Sequence, residues 1–205
     1  MKVLVACEFS GVVREAFKRA GADATSCDLL DTEIPGKHHT GDVLDLAYSG
    51  DFDMMVAFPP CTHLSTTGAC WFPEKIKDGR QQAGIDFFMA MVNAPIEKIA
   101  VENPVGIMST QHEKPTQIIH PYYFGDPFQK ETCLWLKNLK PLKHYKHDEF
   151  WNNKTWVDPG EFVHWEDKHG KVKRMPKWFS SANSKTRSKT FPGIADAMAN
   201  QWCAD

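Results

Sequence analysis

The sequence lacks the features of a membrane protein, a secreted protein or a metal-binding protein. No apolar run approaches the roughly 20 residues that cross a bilayer, and residues 1–6 lack the basic start and long apolar stretch of a signal peptide. The six cysteines are scattered and form no CxxC pair, which argues against a disulfide framework or a zinc ribbon. We therefore expect a cytoplasmic protein with reduced thiols, no membrane contact and no metal.

Repeats and low-complexity segments are also missing. With 205 residues, 42% of them apolar and 24% charged, the chain has the profile of one globular domain, and we favour a monomer. Negative charge is absent from one stretch, because residues 168–189 carry eight Lys and Arg and no Asp or Glu, although the net charge is −2. Such a patch is either a solvated basic loop or a contact for nucleic-acid phosphates.

Residues 1–138 alternate β-rich runs with stretches of helical period, a pattern typical of crossover units. The predicted strands are residues 3–6, a run that ends near Asp28, residues 53–58 and residues 99–101. The predicted helices end at Gly21, cover residues 85–92 and follow Pro192. We therefore predict an α/β fold with a Rossmann-like, doubly wound and mostly parallel sheet.

Polar residues follow the first strands of this predicted sheet. Cys7-Glu8-Phe9-Ser10-Gly11 joins a strand to a helix, where backbone N–H groups and the positive end of the helix dipole can hold a polar group of a cofactor. Asp28 ends the next strand, where it can accept hydrogen bonds from a ribose or cap a helix. Asp42 is placed by the same argument to meet an adenine ring, or it is an ordinary turn residue.

The segment Phe58-Pro59-Pro60-Cys61 is the sharper feature. Two prolines directly after a strand fix the backbone, so a thiol is held rigidly at the ligand-binding edge of the sheet. Glu102 and Asn103 follow the next apolar run, at the same edge. A thiol beside a carboxyl group is typical of covalent addition to a ring with proton delivery, although a lone cysteine is more often a small buried apolar residue.

Three motifs, in this order, resemble the first, fourth and sixth motifs of DNA cytosine-5 methyltransferases: Phe9-Ser10-Gly11, Pro59-Pro60-Cys61 and Glu102-Asn103. Residues 123–135 resemble the eighth motif, with Lys130 and Thr132 in the places of its two arginines. Pro104 stands where the family usually has an aliphatic residue. The chain is short for this family and resembles its compact members encoded by phages and prophages.

The resemblance implies an S-adenosylmethionine-dependent methyltransferase fold and a reaction. Cys61 would add to carbon 6 of a flipped-out cytosine, Glu102 would assist at nitrogen 3, and Lys130 would help to hold the carbonyl oxygen of the base. The cofactor implied is S-adenosyl-L-methionine. Its predicted contacts are Glu8, Phe9, Ser10, Gly11, Asp28, Leu29, Asp42, Val43 and Pro59.

DNA is the partner that the resemblance implies. The predicted DNA contacts are His63, Ser65, Arg174, Lys177, Lys185 and Arg187. We divide the chain into a catalytic, cofactor-binding α/β domain over residues 1–138, a small basic and aromatic insertion over residues 139–185 that serves as a reduced target-recognition region, and a C-terminal helical part over residues 186–205 that returns to the catalytic domain.

Other functions are compatible with the same residues. Thymidylate synthases also place a nucleophilic cysteine after Pro-Pro, so pyrimidine chemistry on a free nucleotide is one of them, although those enzymes do not begin with a strand, a glycine loop and a helix. A DNA-binding protein that has lost catalysis is another, because Lys130 and Thr132 depart from the family motif. A variant methyl donor or a different transferred group is the third.

Overall fold

The computed structural model describes residues 1–147, 154–167 and 169–204. Lys168, the first residue of the predicted basic segment, lies outside them. The strands are β1 Lys2–Ala6, β2 Asp23–Asp28, β3 His38–Thr40, β4 Met54–Ala57, β5 Lys98–Pro104, β6 Gln117–Ile119, β7 Thr132–Lys137, β8 Phe162–Glu166 and β9 Val172–Pro176. The α-helices are α1 Val12–Arg19, α2 Val43–Ala47, α3 Phe72–Lys77, α4 Arg80–Val92, α5 Met108–Gln111, α6 Lys177–Ser181, α7 Ser184–Ser188 and α8 Pro192–Trp202, and two 3₁₀ helices cover Thr66–Trp71 and Pro121–Phe124.

Seven strands form one sheet in the order β3-β2-β1-β4-β5-β7-β6. The strands from β3 to β5 are parallel, whereas β7 runs antiparallel to both of its neighbours. Helices cover both faces, so the predicted α/β fold class with a mostly parallel sheet is confirmed. The strand predicted over residues 99–101 ends too early, because Glu102, Asn103 and Pro104 continue β5 by pairing with β7.

The two faces of the sheet follow from the alternation of side chains along β1. Val3 and Val5 point to one face, where α1 and α8 cover them. Leu4 and Ala6 point to the other face, which packs against α2 and α4. Because both faces of the central strands are buried, the residues of β1 and β4 are apolar almost throughout, as is usual for parallel sheets.

Arg14 fixes the connection that follows β2. This α1 side chain is only 1% exposed, and its guanidinium donates to Ser26 Oγ at 2.9 Å, to Thr32 Oγ1 at 3.1 Å and to the Ile34 carbonyl. A buried cation is costly unless it is hydrogen-bonded, so this set of acceptors is what allows Arg14 to lie inside. The loop after β2 is thereby fixed against α1.

After β7, the described residues add no further strand to the seven-stranded sheet, and of their helices only the last packs against it. Strands β8 and β9 pair as an exposed antiparallel hairpin, and α6 and α7 follow. Helix α8 then packs on α1, with Arg19 and Asp196 forming an ion pair at 2.6 Å across the contact. Within the described ranges, no helix has the length and apolarity that a membrane span requires.

Trp202 provides a test of this C-terminal packing. It is 1% exposed in the core between α1, α8 and the sheet, and its Nε1 donates to the Lys140 carbonyl at 2.9 Å. We expect Trp202→Ala to lower the free energy of unfolding by about 3–5 kcal/mol, because it removes a large buried ring and leaves a cavity. Urea unfolding measures the change, with the exposed Asn200→Ala on the same helix as the control. A loss of less than about 1 kcal/mol in the tryptophan variant would contradict this packing.

Candidate active site

Parallel pairing of β4 with β5 brings Cys61 and Glu102 to the same edge of the sheet. Ala57 at the end of β4 is in register with Val101, so Glu102 is the next residue on β5 and Cys61 lies just beyond Pro59 and Pro60. Cys61 and Glu102 both line a cavity of about 710 Å³. The cavity therefore brings together Cys61 and Glu102, for which the roles of nucleophile and acid were predicted.

Asn103 links the two strand ends beyond their ladder. Its side chain is buried, and its Nδ2 donates to the carbonyl oxygen of Pro59 at 2.9 Å. The hydrogen bond fixes the backbone two residues before Cys61. In the sequence, Asn103 is only a member of a motif, and nothing there indicates which carbonyl it contacts.

The residues after Cys61 are docked on the end of β5. The backbone N–H groups of Leu64 and Ser65 both donate to the Cys61 carbonyl at 3.0 Å, and Ile107 N donates to the Leu64 carbonyl at 2.9 Å. Gly106 allows this approach, because a Cβ added there would lie 2.3 Å from the Leu64 oxygen. The polar run after the nucleophile is thus part of the cavity wall.

Burial controls the protonation of the two predicted catalytic groups. Burial raises the pKa of the Glu102 carboxyl, whose Oε1 has no hydrogen-bond partner among the described residues. Burial, and then the charge of Glu102, raise the pKa of the Cys61 thiol. Both shifts favour the protonated forms of these two groups.

Lys130 offsets these shifts in part. It lines the same cavity, and its positive charge lowers the pKa of both Cys61 and Glu102. Its Nζ donates to the carbonyl oxygen of Arg187 at 3.1 Å, which places the lysine between the sheet and the C-terminal segment. The three predicted catalytic residues therefore lie together.

The predicted DNA contacts divide into two groups. Ser65, Arg174 and Arg187 line the cavity, where Arg174 lies 4.9 Å above the ring of Phe162 and Arg187 lies 4.6 Å above that of Phe179. Each arginine is thereby oriented by an aromatic ring, which leaves the edge of the guanidinium for hydrogen bonding.

The other three predicted DNA contacts have protein neighbours. Lys177 pairs with Glu161 at 2.6 Å, and Lys185 pairs with Glu33 at 3.1 Å. His63 lies beside α4, where a Cβ added to Gly84 would be 3.5 Å from the Cβ of the histidine. The basic segment is therefore not a uniform strip of free cations.

Glu8 and Ser10 form a buried unit at the start of α1. The Oε1 atom of Glu8 accepts from Ser10 Oγ at 2.5 Å and from Val13 N at 3.2 Å, whereas its Oε2 has no partner among the described residues. Burial raises the pKa of Glu8. Gly11 precedes the helix with φ of 78°, a conformation that favours glycine.

Two further predicted cofactor residues lie near Cys7, which follows β1: Asp28 at the end of β2 and Asp42 just before α2. Burial and the nearby charges of Asp28 and Asp42 raise the pKa of Cys7 to about 12. Asp28 Oδ1 accepts from Leu30 N at 3.0 Å, and Asp42 Oδ1 caps α2 by accepting from Leu44 N at 2.9 Å.

The other members of this set differ in exposure. Leu29 is 78% exposed, whereas the side chain of Val43 is buried in the core, so Val43 can offer a ligand only its backbone. Phe9 lies under Lys185, at 5.0 Å from its Nζ. Pro59 lines the catalytic cavity and so lies next to both sets of residues. Among the described residues, no three His, Cys, Asp or Glu side chains are grouped as metal ligands.

The charges around Cys61 predict opposite effects of two substitutions on its reactivity. A thiol is alkylated as the thiolate, so a lower pKa means faster alkylation near pH 8. We expect Lys130→Met to slow alkylation of Cys61 by iodoacetamide roughly threefold to tenfold and Glu102→Gln to accelerate it, because one unit of pKa is a tenfold change in thiolate. Peptide mass spectrometry across a pH series measures the rate at Cys61 alone.

Lys130→Arg is the control for this experiment because it keeps the charge. Its Cys61 rate is expected to stay close to that of the wild type. If Cys61 in Lys130→Met and in Glu102→Gln were alkylated at the wild-type rate, neither charge would act on the thiol.

Comparison with known proteins finds similarity to solved structures but none to family models or curated sequences. No family model matches the chain, and no curated protein sequence matches it. A solved structure from E. coli, described as a candidate DNA modification methyltransferase encoded within a prophage, aligns with a TM-score of 0.45 and 16% sequence identity. The alignment covers 66% of this chain and 46% of that one, so this chain spans about half the length of the E. coli protein.

Proposed function

We propose that this protein is an S-adenosylmethionine-dependent methyltransferase that methylates carbon 5 of cytosine in DNA. The observation that carries the proposal is that Cys61 and Glu102, whose Oε1 is buried without a hydrogen-bond partner among the described residues, line one cavity of about 710 Å³. A reactive thiol and a carboxyl group with a raised pKa are the two groups needed to activate an unreactive pyrimidine carbon.

In this proposal Cys61 makes carbon 5 nucleophilic by covalent addition. The thiolate sulfur forms a bond to carbon 6, and the electrons of the 5,6 double bond become available at carbon 5. After carbon 5 has gained the methyl group, its proton leaves to a base and the carbon–sulfur bond breaks. The double bond is thereby restored and the thiolate is released.

Glu102 is proposed to supply the proton that makes this addition possible. Its raised pKa favours the protonated carboxyl group, and in that form Glu102 can donate to nitrogen 3 of the ring as the thiolate adds at carbon 6. The protonated nitrogen accepts the electrons that the addition displaces through carbon 4 and becomes neutral, which leaves a double bond between carbons 4 and 5. When the product forms, the proton returns to Glu102.

Lys130 is proposed to act on both the Cys61 thiol and the cytosine ring. Its positive charge lowers the pKa of Cys61, which favours the thiolate, and an ammonium group in the cavity can hold the carbonyl oxygen of cytosine. Unlike a guanidinium, Lys130 makes this contact as a point charge without a planar fork.

The predicted cofactor residues have the chemistry needed to hold a methyl donor. Glu8 Oε2 is a buried acceptor without a partner among the described residues, and Asp28 and Asp42 place carboxylates near the adjacent residue Cys7. These oxygens suit an ammonium group and ribose hydroxyls. S-adenosylmethionine, when bound, would supply an electrophilic methyl group at the Pro59 side of the cavity.

DNA is proposed as the substrate because the outer wall of the cavity is cationic and aromatic. Arg174 and Arg187 line it together with Phe179, and guanidinium groups bind phosphate through paired hydrogen bonds. Carbon 6 of cytosine is not accessible within a base stack, so the base must be flipped into the cavity.

Nucleoside mass spectrometry tests the reaction. DNA from cells that express the protein is expected to contain 5-methylcytosine, and purified protein is expected to transfer label from S-adenosylmethionine to DNA. Cys61→Ala should abolish the transfer, because no covalent adduct can form, while its melting temperature stays near that of the wild type. Label that reached only a free cytosine nucleotide would refute DNA as the substrate. Transfer by the alanine variant would refute the covalent route.

The role of Glu102 makes a separate prediction. Glu102→Gln is expected to lower kcat by about 10² to 10⁴, because an amide cannot deliver the proton at nitrogen 3. The same substitution is expected to make the Cys61 thiol more reactive, so the loss of turnover would not come from the nucleophile. Single-turnover assays on DNA measure the rate, and a variant that keeps full kcat would exclude Glu102 as the acid.

A further inference from the structure

Helix α3 carries a lysine that lies inside the protein. Lys75 is 8% exposed, and its Nζ donates to the carbonyl oxygen of Thr62 at 2.7 Å. Thr62 is the residue directly after Cys61 and lines the same cavity. The next lysine of this helix, Lys77, is exposed, as lysines usually are.

Helix α4 makes a second contact of the same kind. Gln81 is 9% exposed, and its Nε2 donates to the carbonyl oxygen of His63 at 3.4 Å. Two neighbouring helices thus bind two consecutive carbonyl groups after the nucleophile. The Lys75 contact is the shorter of the two and carries a full charge, so it is the stronger.

The Lys75 ammonium also lies directly behind the wall of the cavity. A Cβ added to Gly68, which lines the cavity, would be 3.4 Å from Lys75 Nζ. Taking an ammonium group out of water costs free energy that one carbonyl acceptor offsets only in part. A methionine or leucine would fill the same space without this cost, so hydrophobic packing alone does not explain a lysine here.

The backbone around Cys61 is held by side chains on both sides. Asn103 binds the Pro59 carbonyl before the nucleophile, and Lys75 binds the Thr62 carbonyl after it. The Cys61 carbonyl between them accepts from two backbone N–H groups. This short segment therefore has bound carbonyl groups before, at and after the nucleophile.

We propose that Lys75, assisted by Gln81, is a positioning residue that keeps the Cys61 thiol inside the cavity beside Glu102. Lys75 touches neither the thiol nor the substrate, and it acts through the backbone of residues 62 and 63. The effect on turnover rests on the proposed function, whereas the effect on the thiol itself does not.

Without the Lys75 contact, the backbone after Cys61 can shift and the thiol becomes more accessible to water. Burial is the main cause of its raised pKa, so better hydration moves that pKa down toward the ordinary value. Reaction of the thiol with a small reagent then becomes faster. Methyl transfer becomes slower, because an attacking atom displaced by about 1 Å loses on the order of 100-fold in rate.

The test compares Lys75→Met, Lys75→Arg and the control Lys77→Met. Iodoacetamide alkylation of each cysteine is followed by peptide mass spectrometry across a pH series, and turnover is measured on DNA. In Lys75→Met, Cys61 should react several-fold faster, with its pH midpoint shifted down, while kcat falls at least tenfold and KM changes little. Lys75→Arg should stay closer to the wild type than Lys75→Met does, both in the alkylation of Cys61 and in kcat. Lys77→Met should behave as the wild type.

Cys133 separates a local change from unfolding. It is buried in the core and should stay protected in every variant. Equal acceleration at Cys61 and Cys133, or an unchanged Cys61 rate and pH midpoint in Lys75→Met, would overturn the proposal.

Gln81→Leu provides a second, milder variant if Lys75→Met does not fold. It should raise the alkylation rate of Cys61 by a smaller factor than Lys75→Met does. An unchanged alkylation rate would count against the proposal. If no variant or wild-type protein methylates DNA, the proposed function fails, but the alkylation data still decide whether Lys75 positions the thiol.

Discussion

The site depends on the parallel pairing of β4 with β5. A parallel ladder places the carboxyl ends of two neighbouring strands side by side, so Cys61 and Glu102 meet although 40 residues separate them in the sequence. The pairing of β4 with β5 ends at Ala57, before Cys61. The hydrogen bond from Asn103 to the Pro59 carbonyl continues the connection between the two chain segments. This hydrogen bond holds the Pro59-Pro60 pair against β5 from the side before Cys61, and the contacts of residues 64–66 hold it from the side after.

Burial at this junction has a chemical consequence. An apolar surrounding raises the pKa of both Cys61 and Glu102, which suits an acid but weakens a nucleophile. The charge of Lys130 lowers both pKa values and so offsets part of the effect of burial on each group. In the proposed reaction, the thiolate forms with the base bound, where Glu102 and Lys130 can both act on that base.

The sequence predicts the local elements of this arrangement better than its long-range contacts. Apolar runs and Pro-Pro identify the end of β4, and the covalent chemistry of a thiol and a carboxyl group identifies Cys61 and Glu102. The extension of β5 through Asn103 depends on β7, which periodicity within β5 does not reveal. Lys75 shows nothing unusual in the sequence, because its role depends on burial that only the packing of α3 creates.

The basic segment shows the same limit, since charge counts do not say which cations already have partners. Lys185 and Lys189 both pair with Glu33 in the loop fixed by Arg14, whereas Arg187 between them lines the catalytic cavity. Helix α7 therefore contacts the neighbourhood of the predicted cofactor loop on one side and the cavity on the other. Exposed ion pairs are weak and are screened by salt, so this contact can be broken more easily than the hydrogen bonds within the sheet.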